Sequence, residues 1–364
     1  MITTPNAFWS GVLTDLRAGA PALAIATAGA VVFHFLGFPA PALIGAVTAA
    51  SAAAIAGRLK TFPKRWRDVV FVLLGSAMGS AVTPETMAGV GHWPGSMLAL
   101  AVAVTAMTAS SYLVLRKGFG WDRTTAFYAS PPGALSATLV MASTTDADIS
   151  KVAVVQIIRV VILTMAAPIA IVSTGDHGPV AAVSHATAAG MAAILAAGIA
   201  GALIFQRLRF PGGLMVGAFL ASAVLHASGV IVGRLPDWLT LPAFVALGAV
   251  IGTRFSGLKP SVILSLLKAS LVSFFVTAAI GISFALAVGW ALAIPAAQVF
   301  VAFAPGALEA MMLTAFMLGL DPAYVGAHHV ARFVALSFAV PVAARLIGAT
   351  AAKPAEPPPT DEDV

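Results

Sequence analysis

Long apolar segments separated by short polar stretches dominate the chain. A helix that crosses a membrane needs about 20 largely apolar residues, and twelve segments reach or approach that length. Their approximate bounds are 20–36, 38–56, 68–83, 93–115, 124–143, 151–173, 184–205, 211–231, 239–255, 261–288, 296–317 and 322–348. The pattern predicts an all-α polytopic membrane protein.

The composition favours the same class. Hydrophobic residues make up 60% of the 364 residues and charged residues only 9%, whereas soluble proteins carry about 25% charged residues. So few charges cannot cover a surface that faces water, which excludes a soluble enzyme and a free DNA-binding protein. The net charge of +6 then indicates Lys and Arg concentrated in cytoplasmic loops, not a nucleic-acid partner.

The two ends of the chain differ from the apolar segments. Within residues 1–17, Phe8, Trp9 and Leu16 share one face of a helix, which predicts a short N-terminal interfacial segment and not a cleaved signal peptide. Residues 351–364 are rich in proline and acidic, which predicts a disordered tail. The chain has no cysteine, so disulfides and thiolate metal sites are excluded.

The chain contains two similar halves. Residues that are rare in membrane segments recur in one register at an offset of 173 residues. The recurring pairs are Pro132-Gly133 with Pro305-Gly306, Asp148 with Asp321, and Arg159 with Arg332. The sequence therefore predicts two homologous membrane repeats, 18–183 and 184–350.

The basic loops indicate how the two repeats are related. In the first repeat they follow the second and fourth segments, and in the second repeat they follow the first and third. The residues are Arg58 to Arg67 and Arg116 to Arg123, then Arg207, Arg209, Arg254 and Lys259. By the positive-inside rule, equivalent loops face opposite compartments, which predicts an inverted topology with both termini cytoplasmic.

An inverted repeat must cross the membrane an odd number of times, yet each half has six segments. The fifth segment of each half has a proline–glycine break in its middle, at 130–133 and 304–306. Irregular backbone at membrane depth is tolerated only where it is buried in protein or lines a cavity. We therefore expect about ten crossings plus two re-entrant or broken helices, the alternative being twelve crossings in parallel repeats.

The two broken segments and the helices after them resemble a known pair of signatures. The first reads Ser130-Pro-Pro-Gly-Ala-Leu-Ser followed by Asp148, Gln156 and Arg159, and the second reads Ala304-Pro-Gly-Ala-Leu-Glu309 followed by Asp321, His328-His329 and Arg332. This pair is similar to that of the bacterial membrane AbrB-duplication family, whose members are often labelled ammonia monooxygenase or AbrB-family transcriptional regulator. The resemblance covers nearly the whole chain and implies an integral inner-membrane protein.

Neither label fits the residues well. A copper oxygenase needs imidazole ligands gathered at one site, but only His328 and His329 are adjacent, and neighbours on a helix point about 100° apart. A transcription factor needs a soluble basic reading module, and the longest basic run, Arg58 to Arg67, is a short loop. We expect no metal, no cofactor and no enzymatic activity, and only an indirect regulation of gene expression.

Two arginines are the strongest candidate site residues. Arg159 and Arg332 each lie in the last helix of a repeat, with apolar residues on both sides. A guanidinium inside a membrane protein faces the interior and needs a partner, because it stays charged. The two interpretations are an anion-binding arginine and a structural buried ion pair.

Several other residues near the motifs have two interpretations. Asp148 and Asp321 precede the last helices, where they are either N-caps or coupling carboxylates. Glu309, whose counterpart is Ser136, is either a first-turn acid or a coupling group. Gln156 and His329 lie within one turn of the arginines, where they either contact the substrate or satisfy the structure.

These candidates together suggest a secondary transporter of a small anionic solute, with H⁺ or Na⁺ as the coupling ion. The alternative is a membrane ligand sensor that does not transport. The predicted substrate-binding residues are Arg159, Arg332, Pro132, Gly133, Pro305, Gly306, Gln156 and His329, and the predicted coupling residues are Glu309, Asp148 and Asp321. The partners would be the solute and the lipid bilayer, with a homodimer left open.

Overall fold

The computed structural model describes residues 5–82, 89–133, 135–175, 184–210 and 212–349. These residues form fourteen α-helices, seven in each half of the chain. The first half contains α1 (Pro5–Phe35), α2 (Pro41–Ile55), α3 (Lys64–Gly79), α4 (Trp93–Leu113), α5 (Arg123–Ala129), α6 (Leu135–Ala142) and α7 (Ile149–Thr174). The second half contains α8 (Ala188–Arg207), α9 (Gly213–Ala227), α10 (Asp237–Gly252), α11 (Pro260–Leu292), α12 (Ala296–Phe303), α13 (Leu308–Met317) and α14 (Pro322–Leu346).

Seven of the described helices are long and apolar enough to cross a membrane, namely α1, α4, α7, α8, α10, α11 and α14. The predicted all-α polytopic membrane protein is therefore confirmed. Helices α2, α9 and α13 are apolar but have only 10–17 residues. The count of ten crossings stays a prediction, since α2 and α9, at 15 residues each, would span about 22 Å of a hydrocarbon core about 30 Å thick.

The N-terminal helix differs from the expected arrangement. Helix α1 runs without a break from Pro5 to Phe35, so residues 5–17 do not form a separate short helix before the first apolar segment. Pro21 lies inside α1 without ending it, in a stretch rich in alanine, the residue with the highest helix propensity. The interfacial position of residues 1–17 stays a prediction, and the tail 351–364 lies outside the described residues.

Each broken segment forms a pair of short helices joined at its proline–glycine sequence. The α5–α6 pair turns at Gly133, whose φ of 87° is a conformation that glycine adopts without a steric penalty. At the other end of this pair, the backbone N–H of Asp148 donates to the hydroxyl of Thr125 at 2.8 Å. The beginnings of α5 and α7 are therefore adjacent, and the α5–α6 pair enters and leaves at the same end of α7.

The helices of the two halves begin at regularly spaced positions. Helix α5 begins at Arg123 and α12 at Ala296, a separation of 173 residues. The same separation relates the starts of α3 and α10, of α6 and α13, and of α7 and α14. This spacing agrees with the offset of the sequence repeat, while the repeat bounds 18–183 and 184–350 stay predictions.

Close contacts at glycine-bearing faces join helices both within each half and between the two halves. At each of these positions a Cβ atom would collide with the neighbouring helix, so only glycine permits the observed approach. Helices α1 and α2 cross at Gly29 and Gly45, α8 and α9 at Gly201 and Gly217, α3 meets α9 at Gly75 and Gly79, and α10 meets α2 at Gly248 and Gly252. The α2, α3, α9 and α10 helices thus form one interlocked core.

The start of α3 and the end of α10, its equivalent helix in the second half, meet at this core. The backbone N–H of Phe62, before α3, donates to the hydroxyl of Thr253, after α10, at 3.3 Å. The beginning of α10 lies elsewhere, where the backbone N–H of Arg234 donates to the Ser184 carbonyl at 3.0 Å. The start of α3 therefore adjoins the end of α10. An inverted repeat would bring these two ends together, and the inverted topology itself stays a prediction.

Candidate functional site

A cavity of about 440 Å³, here called the main cavity, lies where the two broken segments meet. Gly133 of the first break and Pro305 of the second both line it. The remaining wall comes from α3, α6, α7, α9, α10, α13, α14 and the segments beside them. Much of that wall is apolar, and its polar side chains are Thr61, Arg67, Gln156, Arg159, Thr253, Arg254 and Glu309.

Arg159 is the deepest charged group on this wall. Only 1% of the residue is exposed, and its guanidinium donates long hydrogen bonds of 3.3 Å to the Ala129 carbonyl and 3.4 Å to the Ser130 carbonyl. No described residue is a hydrogen-bond partner of its buried Nε–H, and the same is true of the Nε–H of Arg332. Among the described residues, no carboxylate lies within ion-pair distance of Arg159.

Arg332 occupies the equivalent position in the second half but is held more tightly. Its guanidinium donates at 2.6 Å to the Ala304 carbonyl and at 2.8 Å to the Gly306 carbonyl, on both sides of Pro305. It also contacts His329 Nδ1 at 2.7 Å. Arg332 therefore fixes the shape of the second break, and it lies behind the cavity wall.

The hydrogen bonds of His329 define its protonation. Its Nε2 lies 3.0 Å from the Val301 carbonyl, which can only accept, so this nitrogen carries the proton. Its Nδ1 then accepts from Arg332, and the ring is neutral. Its neighbour His328 faces elsewhere, with Nδ1 2.7 Å from the Tyr324 carbonyl and Nε2 2.7 Å from the Ser96 hydroxyl.

Gly133 connects the first break to the arginine of the second half. A Cβ atom on Gly133 would lie 2.7 Å from Arg332 Nη2, so the bare backbone of the first break packs directly on that guanidinium. Arg159 and Arg332 are both almost fully buried, at 1% and 3% exposed. The centre of the molecule thus holds two buried cations, and the structure describes no acidic partner for either.

Gln156 occupies the position equivalent to His329 but does not bond its arginine. Its amide donates to the Tyr128 carbonyl at 3.1 Å and to the Thr138 hydroxyl at 2.7 Å. These contacts join α7 to both helices of the first broken pair. The exchange of histidine for glutamine leaves Arg159 without the third contact that Arg332 has.

The two predicted coupling aspartates lie at helix starts, away from the main cavity. Asp148 caps α7 by accepting from the Lys151 N–H at 3.1 Å. Asp321 caps α14 by accepting from the N–H groups of Ala323 at 2.8 Å and Tyr324 at 3.2 Å. The N-cap interpretation explains both side chains, and neither is part of the wall.

Glu309 lies on the wall and forms an ion pair that spacing along the chain did not indicate. Its carboxylate lies 3.5 Å from Arg254, and both side chains are about one-fifth exposed, at 20% and 21%. Arg67 also lines the wall from within α3, so it is not the solvated loop residue that its basic run suggested. From the sequence, Arg67 and Arg254 are assigned to the basic loops that predict the membrane topology. Only tertiary contacts bring them to the site.

The structure thus separates the predicted site residues into three groups. Gly133, Gln156, Arg159, Pro305 and Glu309 line the main cavity. Pro132, Gly306, His329 and Arg332 are not on the wall, and the last three form the support behind it. Asp148 and Asp321 are helix caps. Within the described ranges, no group of three or more histidine or acidic residues is placed to hold a metal ion.

The fold and this site define a polytopic, all-helical membrane protein with a basic cavity between two broken helices. Comparison with known proteins gives its family. Residues 43–348 match the family model described as "Transition state regulatory protein AbrB", and the chain belongs to that family.

Two relatives are similar over most of their length. One is "Putative regulator AbrB" of Escherichia coli (strain K12), 26% identical over 325 residues that cover 86% of this chain and 92% of that protein. The other is "Uncharacterized protein YhjN" of Bacillus subtilis (strain 168), 26% identical over 367 aligned positions that cover 89% of this chain and 92% of that protein. The predicted family is thereby confirmed.

Proposed function

We propose that the protein is a secondary transporter of a small organic anion in the bacterial inner membrane, with both termini in the cytoplasm. The observation that carries this proposal is the state of Arg159. It is a buried cation on the wall of a cavity with two long hydrogen bonds, and the part of the chain that the structure describes supplies neither a partner for its Nε–H nor a carboxylate within reach. An anion in the main cavity would supply the missing countercharge.

The chemistry of a guanidinium favours such an anion strongly. A carboxylate or phosphate accepts two parallel N–H donors from one arginine, and these charge-assisted bonds are about twice as strong as neutral ones. The starts of α6 and α13, at Leu135 and Leu308, also border the cavity, and the partial positive charge of a helix N-terminus favours anions. The apolar wall fits an anion with an apolar body better than a bare inorganic ion.

The size of the cavity supports a small solute. Its volume of about 440 Å³ lies in the range of small-molecule sites, roughly 300–1,000 Å³. Within this site, Arg159 would bind the anionic group and Gln156 would orient the first break. Arg332 would hold the second break in place and not bind the solute directly.

Glu309 is the proposed coupling carboxylate. It faces the main cavity, and its ion pair with Arg254 at 3.5 Å joins α13 to the segment after α10. Binding of H⁺ or Na⁺ to Glu309 would weaken this link between two elements of the wall. Asp148 and Asp321 are left out of this role, because capping accounts for their contacts. We also propose that the protein is not an enzyme.

A thermal-shift experiment tests the binding site. Purified protein would be heated with a panel of small monocarboxylates, dicarboxylates and inorganic phosphate. We expect at least one anion to raise the unfolding temperature, and Arg159→Lys to abolish that shift because lysine lacks the planar fork. Arg207→Lys, at the exposed end of α8, is the matched control and should keep the shift. A shift that survives in Arg159→Lys would contradict the proposal.

A membrane ligand sensor is the second candidate function. The name of the Escherichia coli relative, "Putative regulator AbrB", favours it, since a sensor could regulate gene expression indirectly. The two functions differ in net movement of the solute. Purified protein in liposomes should accumulate the anion found by the thermal-shift panel if it is a transporter, and should only bind it if it is a sensor.

A further inference from the structure

A second cavity lies at the opposite end of α10 from the main cavity. Its volume is about 160 Å³, and it is bounded by the start of α10 and the end of α13. The main cavity instead reaches the end of α10, at Thr253 and Arg254. Since α10 has 16 residues and is therefore about 24 Å long, the two cavities approach the centre of the molecule from opposite sides.

The walls of the two cavities are built from equivalent residues. Arg234, Leu235, Thr240 and Phe244 line the second cavity. At the repeat offset of 173 residues, their counterparts are Thr61, Phe62, Arg67 and Phe71, and all four of these line the main cavity. Two unrelated cavities would not share four residues in one register, so the second cavity is the counterpart of the main one.

The second cavity is smaller because an aromatic contact fills it. Phe316, at the end of α13, packs against Phe244 with ring centroids 6.3 Å apart and ring planes at 67°. The residue equivalent to Phe316 is Ser143, an exposed residue that does not line the main cavity. A ring pair thus lies on the wall of the smaller cavity, and the equivalent positions of the main cavity, Phe71 and Ser143, do not form such a pair on its wall.

We infer that the second cavity is the closed, opposite-side entrance to the central site, and that the two cavities open alternately, with the Phe244–Phe316 contact as the closing gate. This inference rests on the proposed function, since a transporter must expose one site to both sides in turn. Exchanging the conformations of the two repeats would close the main cavity and open the second. The structure captures the state in which the main cavity is open.

Cysteine labelling tests the alternation without any solute, and the natural chain has no cysteine to remove. Arg67→Cys probes the main cavity and Thr240→Cys probes the equivalent position of the second cavity. The full-length chain in oriented vesicles would be treated with a membrane-impermeant maleimide on one side at a time. We expect the two cysteines to react from opposite sides. Reaction of both from the same side would overturn the inference.

The double variant Arg67→Cys/Thr240→Cys tests whether the cavities are linked. A bulky maleimide attached at position 67 should hold the main cavity open and slow labelling at position 240 by at least about fivefold. The matched control is Arg67→Cys/Ser228→Cys, because Ser228 is exposed on the turn that follows α9, and its labelling rate should not change. An unchanged rate at position 240 would overturn the inference.

A variant of the gate tests the role of the aromatic pair. Phe316→Ala removes the ring that fills the second cavity and should raise labelling of Thr240→Cys several-fold. An unchanged rate overturns the assignment of the gate. Failure of this inference can be told apart from failure of the proposed function. If the anion is taken up but a label at position 67 does not change labelling at position 240, only the alternation of these cavities is wrong. If a label at position 67 slows labelling at position 240 but no anion is taken up, the alternation is upheld and anion transport is rejected.

Discussion

Arg159 and Arg332 are equivalent by sequence but unequal in their surroundings. Arg332 has three short contacts, one of them to the neutral ring of His329. Arg159 has two long contacts, because its neighbour Gln156 bonds to the first broken helix pair instead. This difference of one residue leaves one arginine as a structural support and the other available to a ligand.

Lysine substitutions should separate these two roles. Arg159→Lys is expected to lose anion binding with little change in the free energy of unfolding, because only long hydrogen bonds are lost. Arg332→Lys is expected to lower that free energy, since it leaves buried carbonyls of the second break unsatisfied at about 1–3 kcal/mol each. Thermal unfolding in detergent measures both effects. Equal destabilisation by the two variants would show that the arginines play the same structural role.

The sequence identified the buried arginines but not their contacts. Their place among apolar residues indicated burial, and Glu309, which the sequence singled out as a candidate, lines the main cavity. The pairing of Glu309 with Arg254, 55 residues away in the chain, depends on tertiary packing that no local pattern encodes. The same limit applies to Asp148 and Asp321, because a cap and a coupling carboxylate have the same local sequence.

At the scale of elements, the broken helix pairs build the site. Prolines in the middle of an apolar segment remove backbone donors and end a helix, so the breaks at 130–133 and 304–306 were predictable. Their close approach was not, because it depends on α7 and α14 each holding one break with its arginine. The packing of Gly133 in the first break on the Arg332 guanidinium of the second half is one example of such a contact.

Gly133 should be intolerant of even a methyl group. Gly133→Ala introduces a Cβ atom at a φ of 87° and directs it into the Arg332 guanidinium. Gly57→Ala is the matched control, since Gly57 has a similar φ of 73° but open space around its Cβ position. We expect Gly133→Ala to be the more destabilising by about 1–3 kcal/mol. Similar unfolding temperatures for the two variants would contradict the packing of the first break on Arg332.

At the scale of the whole molecule, the switched pattern of basic loops predicts an inverted repeat. The contact of the start of α3 with the end of α10 supports that relation. The sequence predicts the repeat from rare residues that recur in one register. It could not reveal that α2 and α3 interlock with α9 and α10, because the small residues at these crossings also occur throughout the other apolar segments.

The membrane orientation can be measured with single cysteines. Gln206, near the exposed end of α8, should be labelled only from the cytoplasm, together with cysteines added at both termini. Asp237, at the start of α10, should be labelled only from outside. External labelling at position 206 together with internal labelling at position 237 would rule out the inverted arrangement.

Uptake by proteoliposomes tests the central claim most directly. The wild-type protein, Arg159→Lys and Arg207→Lys would be reconstituted at equal amounts, and uptake of the anion selected by the thermal-shift panel would be followed with a radiolabel. We predict uptake by the wild type and by Arg207→Lys, and at least a tenfold lower initial rate for Arg159→Lys. Full uptake by Arg159→Lys, or none by the wild type, would contradict anion transport through this site.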